Sequence, residues 1–165
     1  MIMDAPKITV NGKEFTARRP TAGQWREFAE LASAKDSLAI DEWMLLHAEL
    51  IRKMFGRLEI TTDYLLRPDR MDELMKLFEQ CFDWILQIIK DKMDQIPDRK
   101  GKGHLQLKLN PEETVLAIYM HFYEDFGWTR DQVDALPLDY LLSVFVVKDK
   151  IEHAKVLMNI EDVLM

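Results

Sequence analysis

The segment from Asp69 to Gln95 constrains the fold most, because it predicts one long helix with an unusually wide apolar face. We expect Asp69 to cap the N-terminus of this helix. A helix that packs against one neighbouring element needs an apolar stripe of about 100°. The apolar arc of this helix covers roughly 200° of the helical wheel. The helix must therefore contact two neighbours, or one neighbour and something outside the fold. Three side chains flank the stripe that one neighbour would cover: Leu77, Trp84 and Ile88.

The N-terminal residues predict a β-hairpin. Asn11 and Gly12 separate two short runs with alternating polarity, 8–10 and 13–16. Both turn residues tolerate the positive φ angles of a type I′ turn, which matches the twist of the flanking strands. We therefore expect two short antiparallel strands.

Two helices should follow the hairpin. Thr21 and Gln24 form a capping box that opens a helix through about Ala34. A second, amphipathic helix runs from about Leu38 until Gly56 stops it.

Residues 96–109 interrupt the helical pattern with proline and glycine and predict a linker. Asn110 and Pro111 then open a helix that ends at Gly127, and a capping box at Thr129 starts a short further helix before the last one. We expect the helix before Gly127 to bury one side, formed by Val115, Leu116, Ile118, Tyr119, Phe122, Tyr123 and Phe126.

Together these patterns predict a mainly α protein. An N-terminal β-hairpin is followed by a helical bundle within residues 1–95. A linker spans 96–109, and a C-terminal helical module occupies 110–165.

The charge of the chain argues against two classes of partner. Its 165 residues carry a formal charge of −7, and residues 101–165 contribute most of it, with six basic and eleven acidic side chains. Nucleic acids and anionic membrane surfaces would repel such a chain. No apolar run reaches the roughly 18–20 residues of a membrane span. We therefore expect neither nucleic acid nor membrane as a partner.

Catalytic and metal-binding patterns are weak. The four histidines lack metal-ligand spacing. We expect His47 to be packed and hydrogen-bonded inside its helix, and His121 to be solvated. Cys81 falls within the apolar arc of the long helix, where burial raises the pKa of a thiol. We expect no enzyme, no cofactor and no metal site.

Side chains that form apolar and aromatic contacts are abundant instead. The chain holds ten Met, four Trp, eight Phe and four Tyr. Methionine adapts to irregular apolar partners, and tryptophan and tyrosine anchor interfaces. Most such residues fill cores, but the wide arc of the long helix suggests that the chain either self-associates or covers an apolar, helical client.

The layout resembles that of tail assembly chaperones of long-tailed bacteriophages. The resembling portions are the hairpin at 8–16 with its following helix, the helical body to about residue 95, and the module at 123–140 before the last helix. In that family the longer form is often a frameshift fusion of a body and a C-terminal extension. The break near residues 99–103 and the change of charge there would suit such a two-part design.

The resemblance implies a function without catalysis. Members of the family coat the long tape-measure protein, keep it from aggregating and recruit tail-tube subunits around it. The resemblance therefore implies action in the host cytoplasm and absence from the mature virion. It supplies no catalytic residue and no binding residue that maps onto this chain.

The expected mechanism is apolar holding of client helices. The arc at 71–93, with Trp43 and Met44 nearby if the helices pair, would contact the client. Tyr119, Phe122 and Trp128 in the acidic C-terminal section would meet the tail-tube subunit. The alternative is a small intracellular helical adaptor or regulator that binds one defined protein, and an enzyme is the weakest alternative.

Overall fold

The computed structural model describes residues 3–34, 37–95 and 111–164, with side chains up to Glu152 apart from that of residue 111. It is mainly helical, with an N-terminal two-stranded hairpin and a C-terminal helical module, as the sequence predicts. The predicted linker at 96–109 and the predicted cap Asn110 lie outside the described residues.

The hairpin has the predicted turn. Strands β1 (Lys7–Val10) and β2 (Lys13–Thr16) pair antiparallel, with Val10 opposite Lys13. Asn11 and Gly12 have φ angles of 51° and 78°, as a type I′ turn requires. Alternation along the strands turns Ile8, Val10 and Phe15 into the core.

Among its described residues, the N-terminal body contains four α-helices. They are α1 (Ala22–Ser33), α2 (Ile40–Phe55), α3 (Thr62–Leu65) and α4 (Met71–Met93). The capping box of Thr21 and Gln24 is present at the start of α1. Gly56 ends α2 with a φ of 60°, a left-handed conformation that glycine adopts without a Cβ penalty.

The predicted cap of α4 is wrong. A turn of 3₁₀ helix at Pro68–Arg70 precedes α4, so Arg70 occupies the capping position and makes no side-chain capping bond. Asp69 lies within that turn, and its carboxylate is 3.6 Å from Nε of Arg67. Proline favours the first position of a helical turn, which starts the helical backbone one residue before Asp69.

The C-terminal module contains α5 (Pro111–Phe126), α6 (Arg130–Asp134) and α7 (Leu138–Leu164). Gly127, with a φ of 67°, ends α5. The side chain and backbone of Thr129 pair with Gln132 in the predicted capping box of α6. Local signals therefore placed the helix boundaries on both sides of the turn between α5 and α6.

The described parts of the body and the C-terminal module share one hydrophobic core. Helices α5 and α6 pack on α1, and α7 packs on α4. Backbone hydrogen bonds join the two parts directly, from the amide of Ala22 to the carbonyl of Leu136 at 2.8 Å and from the amide of Leu138 to the carbonyl of Pro20 at 2.9 Å. The division into domains stays a prediction, but the two parts are in close contact.

Candidate functional site

The wide apolar arc of α4 faces three neighbouring helices, α1, α2 and α7. Helix α2 contacts one part of α4, and α7 contacts another. Leu77 is 4% exposed and belongs to the core, which excludes it from a partner surface in this conformation. Trp84 and Ile88 are half-buried and line a groove of about 390 Å³ beside Pro20 and Asp139. Leu77 lies beside Ile8 of the hairpin and Leu65 of α3, so these elements, together with the helices that pack on α4, occupy part of the surface that the sequence assigned to a client.

Trp43 and Met44 are half-buried and lie apart from the Trp84 groove. The ring centroids of Trp43 and His47 are 3.9 Å apart, and those of His47 and Phe78 are 4.0 Å apart. His47 is buried, and its Nδ1 lies 2.7 Å from the carbonyl oxygen of Trp43. Because a carbonyl can only accept, Nδ1 carries the proton. The prediction of a packed, hydrogen-bonded His47 is confirmed.

The predicted C-terminal residues divide between core and surface. Phe122 has no exposed surface, and its ring stacks on those of Phe126 and Trp128, so it cannot belong to a free partner surface in this conformation. Tyr119 and Trp128 are half-buried and lie at the same groove. Of the eight residues predicted from the sequence to contact a partner, only Tyr119 and Trp128 line this groove.

This groove, which we call the α5 groove, has a volume of about 360 Å³. One wall is α5, and the other is formed by α6, the residues before it and two charged side chains of α1. Its lining comprises Arg26, Glu30, Glu112, Val115, Leu116, Tyr119, Met120, Tyr123, Trp128, Arg130 and Val133.

One row of apolar side chains on α5 faces solvent along this groove. Leu116, Met120 and Tyr123 are 58%, 52% and 65% exposed. Their spacing of i, i+4 and i+7 places them on one helix face. The expectation that Leu116 and Tyr123 are buried is wrong, as it is for Phe126, because the core covers only the side of α5 that carries Val115, Ile118 and Phe122.

A polar network forms the floor of the α5 groove and fixes its geometry. Arg26 of α1 donates from Nε and Nη2 to the two carboxylate oxygens of Asp134 in α6, each at 3.0 Å. The hydroxyl of Tyr119 donates to the same carboxylate at 2.5 Å. Arg26 also donates to Glu30 at 2.9 Å. Three helices thus meet at one guanidinium–carboxylate pair.

The network keeps Asp134 and Arg26 ionised and Tyr119 neutral across the neutral range. Burial opposes ionisation of Asp134, but the hydrogen bonds from Arg26 and Tyr119 outweigh it and lower the pKa of this carboxyl. The bond to Asp134 raises the pKa of Arg26. Burial, together with the bond to Asp134, raises the pKa of the Tyr119 hydroxyl, which therefore stays a donor. The network supplies rigidity, and the apolar row supplies contact surface.

Nucleophile and metal chemistry find little support in the described part of the chain. Cys81 is fully buried, and burial raises the pKa of its thiol to about 12. Within residues 3–34, 37–95 and 111–164, no three His, Cys, Asp or Glu side chains cluster as a metal site would require. The expectation that His121 is solvated is wrong: it is half-buried, 5.0 Å from the ring of Phe145. Burial and nearby Lys148 lower its pKa.

The sequence pattern did contain a signal for the α5 groove. Apolar residues occupy most of the circumference of α5, as they do in α4, so two separate rows are present. An apolar arc this wide indicates a second contact face on α5, and that face includes Leu116 and Met120. Nothing local indicated the Arg26–Asp134 pair, whose members are 108 residues apart.

None of the helices in the described residues is long and apolar enough to cross a bilayer. No protein-family model matches the chain, and neither a curated protein nor a solved structure matches it.

Proposed function

We propose that this protein is a non-catalytic tail assembly chaperone that binds the tape-measure protein of a long-tailed phage in the host cytoplasm and recruits tail-tube subunits to it. The resemblance in layout supports this proposal. The single structural observation that carries it is the exposed apolar row of Leu116, Met120 and Tyr123 beside the α5 groove.

The client surface in this proposal is the α5 groove instead of the α4 arc. Helix α7 already covers part of α4, while the apolar row of α5 has no intramolecular cover among the described residues. Burying one apolar side chain contributes roughly 1.5–3 kcal/mol. Three anchors of this size, less the entropic cost of association, give reversible binding, and many copies along one long client add avidity.

A second exposed row lies on α7 and suits the tail-tube subunit. Tyr140, Val147 and Ile151 are about half exposed and recur at i, i+7 and i+11, close to one face of the helix. This face of α7 would contact the tail-tube subunit, a contact for which the sequence predicted Tyr119, Phe122 and Trp128. Self-association through this face is the competing use.

Co-expression with the tape-measure protein tests the proposal. The wild-type chain should increase the soluble fraction of that protein. Leu116→Glu with Met120→Glu should abolish the increase, because both side chains face solvent and their replacement leaves the core intact. The matched control is Leu58→Glu, since Leu58 is 96% exposed and is absent from the groove lining. An unchanged soluble fraction with wild-type protein contradicts the proposal.

The second candidate is a small helical adaptor that binds one defined protein. The limited volume of the α5 groove favours it, because a cleft of about 360 Å³ suits one short segment. Saturable 1:1 binding to a globular partner supports the adaptor, whereas several copies on one long client support the chaperone.

A further inference from the structure

We propose that the α5 groove selects a basic amphipathic helix, whose apolar row enters the groove while lysine or arginine side chains lie at its two ends. This inference deepens the proposed function, on which it rests for the assignment of the groove as the client site. Three features of the groove support it: the spacing of its apolar row, the adaptability of its side chains and the sign of its charge.

The spacing suits a helical partner. Leu116 and Tyr123 are seven residues apart, which corresponds to about 10 Å along the axis of α5. A partner helix presents its own anchors at i, i+3 or i+4, and i+7 over the same distance. Two turns of the partner therefore match the exposed row.

The lining suits an apolar helix of varied sequence. Met120 is flexible and polarizable, so it adapts to differently shaped partner side chains. Tyr119, Tyr123 and Trp128 add large aromatic surfaces, which are typical anchors of interfaces. The groove can therefore accept successive segments of one long client.

Carboxylates stand at both ends of the apolar row. Glu112, Leu116, Met120 and Glu124 follow one another at intervals of four residues, and all four are exposed. Twelve residues separate the two glutamates, or about 18 Å along the helix. Glu112 forms no ion pair in the described part of the chain. A helix with a cation beyond each end of its apolar row would meet both.

The surface around the apolar row also carries a negative charge. Residues 111–134 hold six carboxylates and one arginine, a formal charge of −5. Two of these carboxylates pair with cations from outside this range, Asp134 with Arg26 and Asp125 with Lys148, and with both cations included the charge is −3. The arginine within the range, Arg130, lies 3.8 Å from Glu30, so its charge is already partly balanced. Complementary charge raises association rates and suppresses wrong partners. A second copy of this chain is disfavoured as occupant, because antiparallel pairing would bring the Glu112 of one copy towards the Glu124 of the other.

The probes for this inference are three synthetic helical peptides of about 18 residues, long enough for partial helicity in water. One has a leucine row flanked by lysines, the second replaces each lysine with glutamate, and the third keeps the lysines but replaces each leucine with serine. Calorimetry with the full chain should give micromolar binding of the first peptide. Binding of the other two should be at least tenfold weaker.

Salt and charge reversal then test the electrostatic part. Raising NaCl from about 0.05 M to about 0.5 M should weaken the lysine peptide several-fold, because exposed charges are screened. Glu112→Lys with Glu124→Lys should reverse the preference between the lysine and glutamate peptides. The matched control is Glu79→Lys with Asp83→Lys, a pair of exposed carboxylates four residues apart on α4. This control should leave the preference unchanged.

Several results would overturn the inference. These are equal affinity for the lysine and glutamate peptides, a preference that survives reversal at Glu112 and Glu124, and no binding of any peptide. A dimer that Met120→Glu dissolves would assign the groove to a second copy. If the peptides fail while Leu116→Glu with Met120→Glu still abolishes client solubilisation, the charge inference falls and the chaperone proposal stands. If the chain binds the lysine peptide but not the tape-measure protein, the charge inference stands and the chaperone proposal falls.

Discussion

At the scale of single residues, Arg26 ties α1 to the C-terminal module. Its side chain is only 13% exposed and makes both bonds to Asp134. A guanidinium matches a carboxylate in this two-bond geometry, and a partly buried site screens the pair less than water does. Arg19 and Asp139 form a second guanidinium–carboxylate pair between the same parts of the chain, in which the single N–H of Nε is shared by both oxygens of Asp139 on an exposed surface.

Arg26→Met should destabilise the fold by about 2–4 kcal/mol, because it leaves the Asp134 carboxylate partly buried without its main partner. Arg19→Met removes the same chemistry from the exposed pair and should cost less than about 1 kcal/mol. Urea denaturation of both variants measures the difference. Equal losses in the two variants would show that burial of the Arg26–Asp134 pair contributes nothing.

His47 should make stability depend on pH in the mildly acidic range. Burial lowers its pKa from an ordinary value of 6.5, so the unfolded chain binds a proton before the folded chain does. The free energy of unfolding should therefore decrease as the pH falls from about 7.5 to about 5.5. The pKa of Asp134 is lowered from 3.8, so this carboxyl acts only at more acidic pH.

Urea midpoints across that range test the pH prediction. His47→Gln should flatten the profile in part, and the remaining slope should come from His121, whose pKa is also lowered. A slope that His47→Gln leaves unaltered, or stability that increases towards pH 5.5, would contradict the assignment.

At the scale of elements, signals within a few residues predicted the turns and caps. The turn at Asn11 and Gly12 and the capping boxes at Thr21 and Thr129 depend on backbone and side-chain chemistry inside one turn, so the sequence alone indicates them. Which face of a helix is covered depends on distant elements. The coverage of α4 by α7 and the exposure of Leu116 therefore could not be predicted from either helix by itself.

Two substitutions separate a real cap from the one that the sequence wrongly indicated. Thr129→Ala removes a hydroxyl that accepts from the amide of Gln132 and should cost about 1 kcal/mol. Asp69→Ala removes only an exposed pair with Arg67 and should change stability by less than about 0.5 kcal/mol. A larger loss at Asp69 than at Thr129 in urea denaturation would contradict the observed start of α4.

At the scale of the whole molecule, the shared core predicts one cooperative unfolding transition. Leu142 of α7 is fully buried within that core, so Leu142→Ala should destabilise the entire chain by about 2–5 kcal/mol. Circular dichroism and tryptophan fluorescence should shift together, because Trp25 and Trp128 report on the two parts. Two separated transitions would show that the parts unfold independently.

The account of function depends on one surface, the apolar row along the α5 groove. Gel filtration with the tape-measure protein at micromolar concentration tests it most directly. The account predicts that the wild-type chain and Leu58→Glu migrate with the client in several copies, while Leu116→Glu with Met120→Glu migrates alone. Separate migration of the wild-type chain, or co-migration of all three proteins alike, would contradict it.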